Sequence, residues 1–570
     1  MSLPLLALIV VVILTLGYTL YGRFIAKQYV LDDTVATPAV QVNDGVDFVP
    51  TKKFFLLGQH FSAIAAAGPI AGPILACQLF GWGPSILWIA LGVVFIGAVH
   101  DFSALVASVR HKARSVAEIV KENMGRRAWL AMMAFMWIAL VYLIIAFADI
   151  TAATFVGKTE EFQGTSFAFN PGGAVAIASG TYMLLAIVMG LIQRKWDPPL
   201  WLMTVVFVPA TLGAVWLGTR ISTLLIFSQT TWAVTIMVYC FVASLLPVWL
   251  LLQPRGYLGG FVLYMALAVG IIGIFFGGFD VKQPITTAAP VAGLSGSMLP
   301  FLFVTIACGA CSGFHGLVAS GTTSKQLAKE TDARAVGYGG MLLEGFVALI
   351  ALATIMIAAP AAVKGLSPGR IYGDGIARFL TVIIGEDAFL FAATFGAMAF
   401  STFVFDTLDV ATRLGRYILQ ELANVHTRTA ALVATGITAA VPAVVLVSAG
   451  PGGYRTFWTL FGTSNQLLAA LTLLGITVWL KRLGRRVWYT AAPMVFLLVA
   501  TLWSLLGQAL QFWGAAVDAK TGRLLIPSVA NAIVAVLLFA LTAFLLVEAW
   551  RAVQGTRAGA KPVPGGMPTA

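Results

Sequence analysis

The sequence predicts an all-α polytopic membrane protein of about fifteen transmembrane helices, two of them discontinuous and opposite in sense. Three observations carry this expectation. Of 570 residues, 59% are hydrophobic and 10% charged, against roughly 25% charged in a soluble domain. Apolar runs of about 20 residues, the length that crosses a bilayer, recur between polar or Gly/Pro breaks. Two of the runs are interrupted by glycine-rich stretches, which lipid cannot satisfy and which must therefore be buried in protein or line a wet cavity.

In order, the runs cover 3–26, 54–80, 84–109, 127–157, 172–193, 199–218, 229–252, 257–279, 298–320, 335–363, 388–412, 429–449, 456–480, 487–510 and 526–550. The first lacks a basic leader region and is long enough to span, so it reads as a helix rather than a cleaved signal. Of 35 Lys and Arg, 26 fall in the odd-numbered connections and the tail, and nine in the even-numbered ones. Cytoplasmic connections carry such an excess. The N-terminus is therefore expected outside and the C-terminus in the cytoplasm. The net charge of +12 is an orientation signal and gives no reason to expect nucleic acid.

The stretch Arg110 to Arg127 holds a short amphipathic helix, with Ser115 and Glu118 spaced as a capping box and Val116, Ile119 and Val120 as its apolar edge. It is expected to lie on anionic headgroups. The tail from Gly555 is rich in Gly, Pro and Ala and is expected to be disordered. Four cysteines, Cys77, Cys240, Cys308 and Cys311, lie in apolar segments, so no disulfide framework, metal or cofactor is implied. Cys308 and Cys311 read as small residues at a helix contact.

The second run contains Gly68-Pro69 and Gly72-Pro73 near its middle; each proline removes a backbone donor and disfavours helix just before it. The ninth contains the stretch Leu299 to Lys325, apolar in its first half and rich in glycine and hydroxyls in its second, with His315 among them. The second and ninth runs stand seven places apart, so they cross in opposite senses. Paired broken segments of this kind point to an inverted-repeat transporter with its substrate at the repeat interface. The simplest division gives a first helix and loop at 1–53, repeats at 54–218 and 298–480, inserted helices at 219–297, C-terminal helices at 481–552 and a tail at 553–570. Half-helix N-termini suit a carboxylate and freed carbonyls suit a cation, so a small carboxylate-bearing solute with a coupling H⁺, or alternatively Na⁺, is expected.

Several long motifs in order carry a family resemblance: YGRFIA at 21–26, NDGVDFVPTKK at 43–53, GQHFSAIAAAGPIAGPILA at 58–76, GAVHDF at 97–102, ACGACSGFHGLVASGTTSKQL at 307–327, TLDVATRLGRYILQEL at 407–422 and FGTSNQLLAALTL at 461–473. Over essentially residues 15–550 the chain resembles the carbon starvation (CstA) family of bacterial inner-membrane transporters. The resemblance implies a LeuT-like fold and uptake of peptides or pyruvate, driven by protons. In the LeuT-like comparison the backbone of Ala66, Ala67, Gly68, Pro69 and Ile70, and of Gly309 through Ser312, Gly313, Phe314, His315 and Gly316, would contact substrate.

Individual side chains add to this. His60 and His315 can hold a carboxylate or carry a proton. Thr322, Thr323 and Ser324 add hydroxyls or cap the helix leaving the break. Glu344, Asp149 and Asp101 are proton-coupling candidates, because carboxylates in spans are functional by default; Asp101 is expected near the inner interface. His100 beside it points about 100° away, so the two should not share a ligand. On the eleventh run Asp406 and Asp409 stand at helical spacing from Arg413, as an ion-pair ladder or a gate. Ser401 and Thr402 occupy the region where sodium-coupled relatives of the LeuT type place cation ligands. Asn465 and Gln466 could reach the cavity or bond between helices. A membrane-embedded enzyme or a transporter-fold solute sensor are the alternatives; the five histidines show no metal-binding pair on one helix face, and no connection is long enough for a signalling domain.

Overall fold

The computed structural model describes residues 2–45, 47–65, 67–161, 168–287, 298–425, 427–517, 522 and 524–555. Ala66 and residues 556–570, which hold most of the expected tail, lie outside the described residues. The long helices are α1 (Leu3–Tyr29), the broken pair α2 (Lys53–Ile64) and α3 (Gly68–Phe80), and α4 (Trp82–Arg110). Then come α5 (Val116–Met124), α6 (Arg126–Thr154), α7 (Pro171–Trp196), α8 (Leu200–Arg220), α9 (Gln229–Leu245) and α10 (Leu252–Phe276). After a second break, formed by α11 (Phe301–Thr305) and α12 (Gly313–Gly321), the chain continues with α13 (Glu330–Met356) and α14 (Pro368–Ile384). It finishes with α15 (Phe389–Ala423), α16 (Arg428–Ala449), α17 (Tyr454–Arg482), α18 (Trp488–Gly514) and α19 (Ile526–Gly555).

Among the described residues twelve helices are long and apolar enough to cross a membrane, and thirteen if the bent α2–α3 pair counts as one span. The segments expected at 229–252 and 298–320 fall short of that length. Helix α9 ends at Leu245 because Pro247 follows its cap and disfavours helix at the residue before it. Burial grades the bundle: the apolar window of α17 is 94% buried and that of α4 89%, whereas α8 is 28% and α1 33%. The well-buried helices surround the two breaks and the exposed ones form the periphery.

Three expectations need correction. In the second run the first helix ends at Ile64 and the next begins at Gly68, ahead of both Gly-Pro prolines, with a 47° bend between them. Pro69 sits in the first turn of α3, where a missing N–H costs nothing, and Pro73 is carried inside the helix. Helix α5 does not present its apolar edge to lipid: Val116, Ile119 and Val120 are buried against α6 and α17. Ser115 accepts the Glu118 N–H at 3.4 Å, but the Glu118 carboxylate turns to Lys121, so only the forward half of the capping box forms. Finally, α14 was expected as part of a connection. It is a 17-residue helix, capped by Ser367, that packs on α15, α10 and α13 with Ile371, Tyr372, Ile376 and Phe379 buried. Arg370, Asp374 and Arg378 lower its hydropathy and hide it from a search for apolar runs.

Candidate functional site

The two breaks lie against each other. The first turn of α3 packs on the α11–α12 break so closely that a Cβ at Gly68 would overlap Cys308 Sγ, and one at Gly309 would come within 3.5 Å of Pro69 Cα. Cys308 is thus a buried contact residue between the broken spans. On the other side, Gly313 lets α12 lie directly on α17, where any Cβ would overlap the Asn465 carbonyl. Helix α12 is nine residues long and its first N–H groups would be unpaired within the span. Asn465 fills that role: its Oδ1 accepts from Phe314 N at 3.0 Å and from Ser312 Oγ at 3.3 Å, while its Nδ2 reaches Ser312 Oγ at 3.0 Å and Cys308 Sγ at 3.3 Å. Phe314 and Asn465 also line a small hollow with Leu140, Leu143, Leu317 and Phe461. Gln466 bonds instead to the Phe303 carbonyl at 2.8 Å, joining α17 to α11.

Behind the break sits a buried chain of ionisable groups from three helices. Asp101 Oδ1 is 2.7 Å from His100 Nδ1, Asp101 Oδ2 is 2.9 Å from His315 Nδ1, and His315 Nε2 is 3.1 Å from Glu344 Oε2. All four side chains are at most 1% exposed. The last contact is at ion-pair distance but off the hydrogen-bond direction, so both Glu344 oxygens keep unused acceptor capacity. The Asp101 carboxylate is buried within the protein, and His100, expected to point about 100° away from it, bonds that carboxylate. An imidazole with a carboxylate at each nitrogen either carries both ring protons or leaves one proton on a carboxyl. The cluster is therefore built to share protons, in a place where unpaired charge is costly.

His60 bonds toward the far end of α12. Its Nδ1 lies 2.9 Å from Thr323 Oγ1, beyond the end of α12, and its Nε2 is buried without a hydrogen-bond partner. Ser324 Oγ bonds Ser108 Oγ at 2.9 Å nearby, and Thr51 N donates to the Gln326 carbonyl at 2.9 Å. The same end of the bundle is held by Arg110, which grips Glu330 through Nε at 2.6 Å and Nη2 at 3.0 Å. Asp149 stands apart from the cluster. It accepts from Gln229 Nε2 at 2.7 Å and from the Tyr454 N–H at the start of α17, so it caps that helix.

The residues of the eleventh run form a separate buried group, and here the expected partner is wrong. Arg413 does not pair with Asp406 or Asp409; it donates to the carbonyls of Ala243 and Leu246, and Arg416 to that of Ser244, closing the C-terminus of α9. The two carboxylates are held by Arg255 of α10, with Nε 2.6 Å from Asp406 Oδ1 and Nη1 2.5 Å from Asp409 Oδ2. Tyr239 donates to Asp409 Oδ2 at 2.9 Å, and Tyr182 donates to the Arg255 carbonyl at 2.7 Å. Ser401 bonds Ser179 across to α7 at 2.7 Å, and Thr402 Oγ1 is buried without a partner. Sequence reasoning passed over Arg255 because it lies two residues before the apolar run at 257 and so counts as a loop charge. Its one signal was the absence of any acidic neighbour in sequence.

The carbon starvation protein CstA family model matches residues 2–373 and 357–504. The "Peptide transporter CstA" of Campylobacter jejuni is 36% identical, covering 86% of this chain and 78% of that protein. The "Pyruvate/proton symporter BtsT" of Escherichia coli is 33% identical, covering 86% and 79%. A solved manganese transporter of Eremococcus coleocola overlays with a TM-score of 0.46 at 14% identity, over 88% of this chain and 97% of that one, too loosely to carry an argument.

Proposed function

This chain belongs to the carbon starvation protein CstA family of transporters, and from that premise we propose that it imports a small carboxylate-bearing nutrient by proton symport with alternating access. The observation that carries the reading is His315, fixed between Asp101 and Glu344 directly beside the crossing of the two breaks. A relative named as a peptide transporter and another named as a pyruvate/proton symporter support peptides or pyruvate as the substrate class.

In this reading Asn465 holds the place of the substrate carboxylate. Its Oδ1 takes the two donors, Phe314 N and Ser312 Oγ, that a carboxylate would take at the same helix start. Movement of α17 away from α12 withdraws the amide and exposes both donors together. Because α12 carries His315 two residues further on, substrate at its N-terminus and protons at the Asp101–His315–Glu344 cluster act on one rigid piece. Protons are favoured over Na⁺ because, of the residues suited to a cation site, Ser401 is engaged by Ser179 and both carboxylates of the eleventh run by Arg255, which leaves Thr402 without a charged oxygen of its own.

The repeats at 54–218 and 298–480, the outside N-terminus and the bacterial inner membrane complete the proposal. The 26-to-9 charge asymmetry supports the orientation. Uptake of pyruvate and of short peptides into proteoliposomes, under separate H⁺ and Na⁺ gradients, tests it. Accumulation driven by H⁺ alone is expected, and none under either gradient overturns the proposal.

A further inference from the structure

His60 is 1% exposed, and its two ring nitrogens have unlike surroundings. Nδ1 is engaged by Thr323 Oγ1, and Nε2 has no partner. Helix α13 passes close to that nitrogen at Gly340. A Cβ built on Gly340 would lie 3.0 Å from His60 Cδ2 and 3.6 Å from Nε2. Residues four apart share a helix face, so Gly340 and Glu344 are one turn, about 5.4 Å, apart on the same stripe. Glu344, whose Oε2 faces His315 Nε2, brings two oxygens without hydrogen bonds to that stripe. Buried polar atoms are ordinarily hydrogen-bonded. His60 Nε2 beside Gly340 and the Glu344 carboxylate one turn further along α13 supply an acceptor and a donor that one water would join.

The other face of the ring looks toward the end of the bundle held by Arg110. Thr323 begins the segment that is tied down through Ser324 to Ser108 and through Gln326 to Thr51. We propose that His60 is a second proton station, which takes the coupling proton from Glu344 and releases it when the Thr323 segment opens. This rests on the proton-symport reading above.

The proton can be followed atom by atom. With hydrogen on Nδ1, that N–H donates to Thr323 Oγ1 and Nε2 offers its lone pair. Glu344 loses its carboxyl proton through one water to Nε2, leaving a carboxylate and an imidazolium. When Thr323 withdraws, the Nδ1 proton passes to bulk water and His60 is neutral again with hydrogen on Nε2. Exchange of that hydrogen with water resets the ring. Gly340 matters because any side chain there would stand between the two stations.

The test separates the two halves of the transport cycle in proteoliposomes, with pyruvate and trialanine as probes. Exchange of external labelled solute for internal unlabelled solute requires no net proton release, whereas accumulation driven by a pH gradient does. His60→Gln is expected to keep exchange and to lose accumulation roughly a hundredfold. Gly340→Ala, which keeps the histidine but crowds the passage, should slow accumulation in the same selective way. Wild-type protein that accumulates neither probe overturns the symport reading itself. Wild-type accumulation undiminished in His60→Gln overturns the relay alone, as does equal loss of exchange and accumulation in folded His60→Gln, which would mark the residue as structural.

Discussion

Asp101 Oδ2 and His315 Nδ1 lie 2.9 Å apart although 214 residues separate them in the chain. That single contact ties the helix leaving the second break to α4 and places a carboxylate on a histidine whose other nitrogen faces Glu344. The cluster is small, buried and shared by three helices, so each member should show a different defect when removed.

Asp101→Asn removes the charge that both His100 and His315 lean on. Breaking a buried pair costs about 3–5 kcal/mol. Thermal unfolding in detergent should show a clear loss of stability, together with loss of transport. His315→Ala is expected to abolish transport while leaving folded protein; normal uptake by that variant removes its assigned role.

Arg255→Ala strands the buried Asp409 and the quarter-exposed Asp406 without their cation, and about 3–5 kcal/mol should be lost. Adding Asp409→Asn to Arg255→Ala should restore part of the melting temperature, since it removes one of the stranded charges. Arg413→Ala should not resemble Arg255→Ala, because Arg413 touches only the carbonyls at the end of α9.

Asp149→Ala distinguishes a helix cap from a proton carrier. The cap on α17 is worth about 1 kcal/mol, so a small drop in melting temperature is expected with the ratio of protons to solute unchanged. A changed ratio, measured as simultaneous proton and solute flux, places Asp149 in the coupling path after all.

Asn465→Ala frees Phe314 N and Ser312 Oγ at the start of α12. The closed form loses a cap worth about 1 kcal/mol, so this variant should open more readily and show faster unlabelled-for-labelled exchange with weaker accumulation. Slower exchange contradicts the idea that the amide holds the place of a carboxylate.

Much of this arrangement was legible in the sequence. The first break was marked by Gly-Pro pairs and the second by glycine, and His315, Glu344 and Asp101 stood out as ionisable groups in apolar runs. Their assembly was not legible, because contact between Asp101 and His315 depends on how α4 and α12 pack rather than on any spacing along the chain. Helix α14 and Arg255 were missed for the same reason. Hydropathy treats a charge as a sign of exposure, whereas Arg255 is buried by two carboxylates that arrive from α15. The bonds that Asp149 makes to Gln229 and to the Tyr454 N–H were hidden for the same reason, since they join α6 to helices far along the chain.

The most direct test of proton coupling at His315 and Glu344 is simultaneous measurement of proton influx and solute uptake in proteoliposomes, for wild-type protein and Glu344→Gln. Wild-type protein should take up protons with the solute in a fixed ratio and accumulate it against its gradient. Glu344→Gln should move solute only down its gradient, with no accompanying protons. Proton-coupled accumulation that survives in Glu344→Gln would contradict the account.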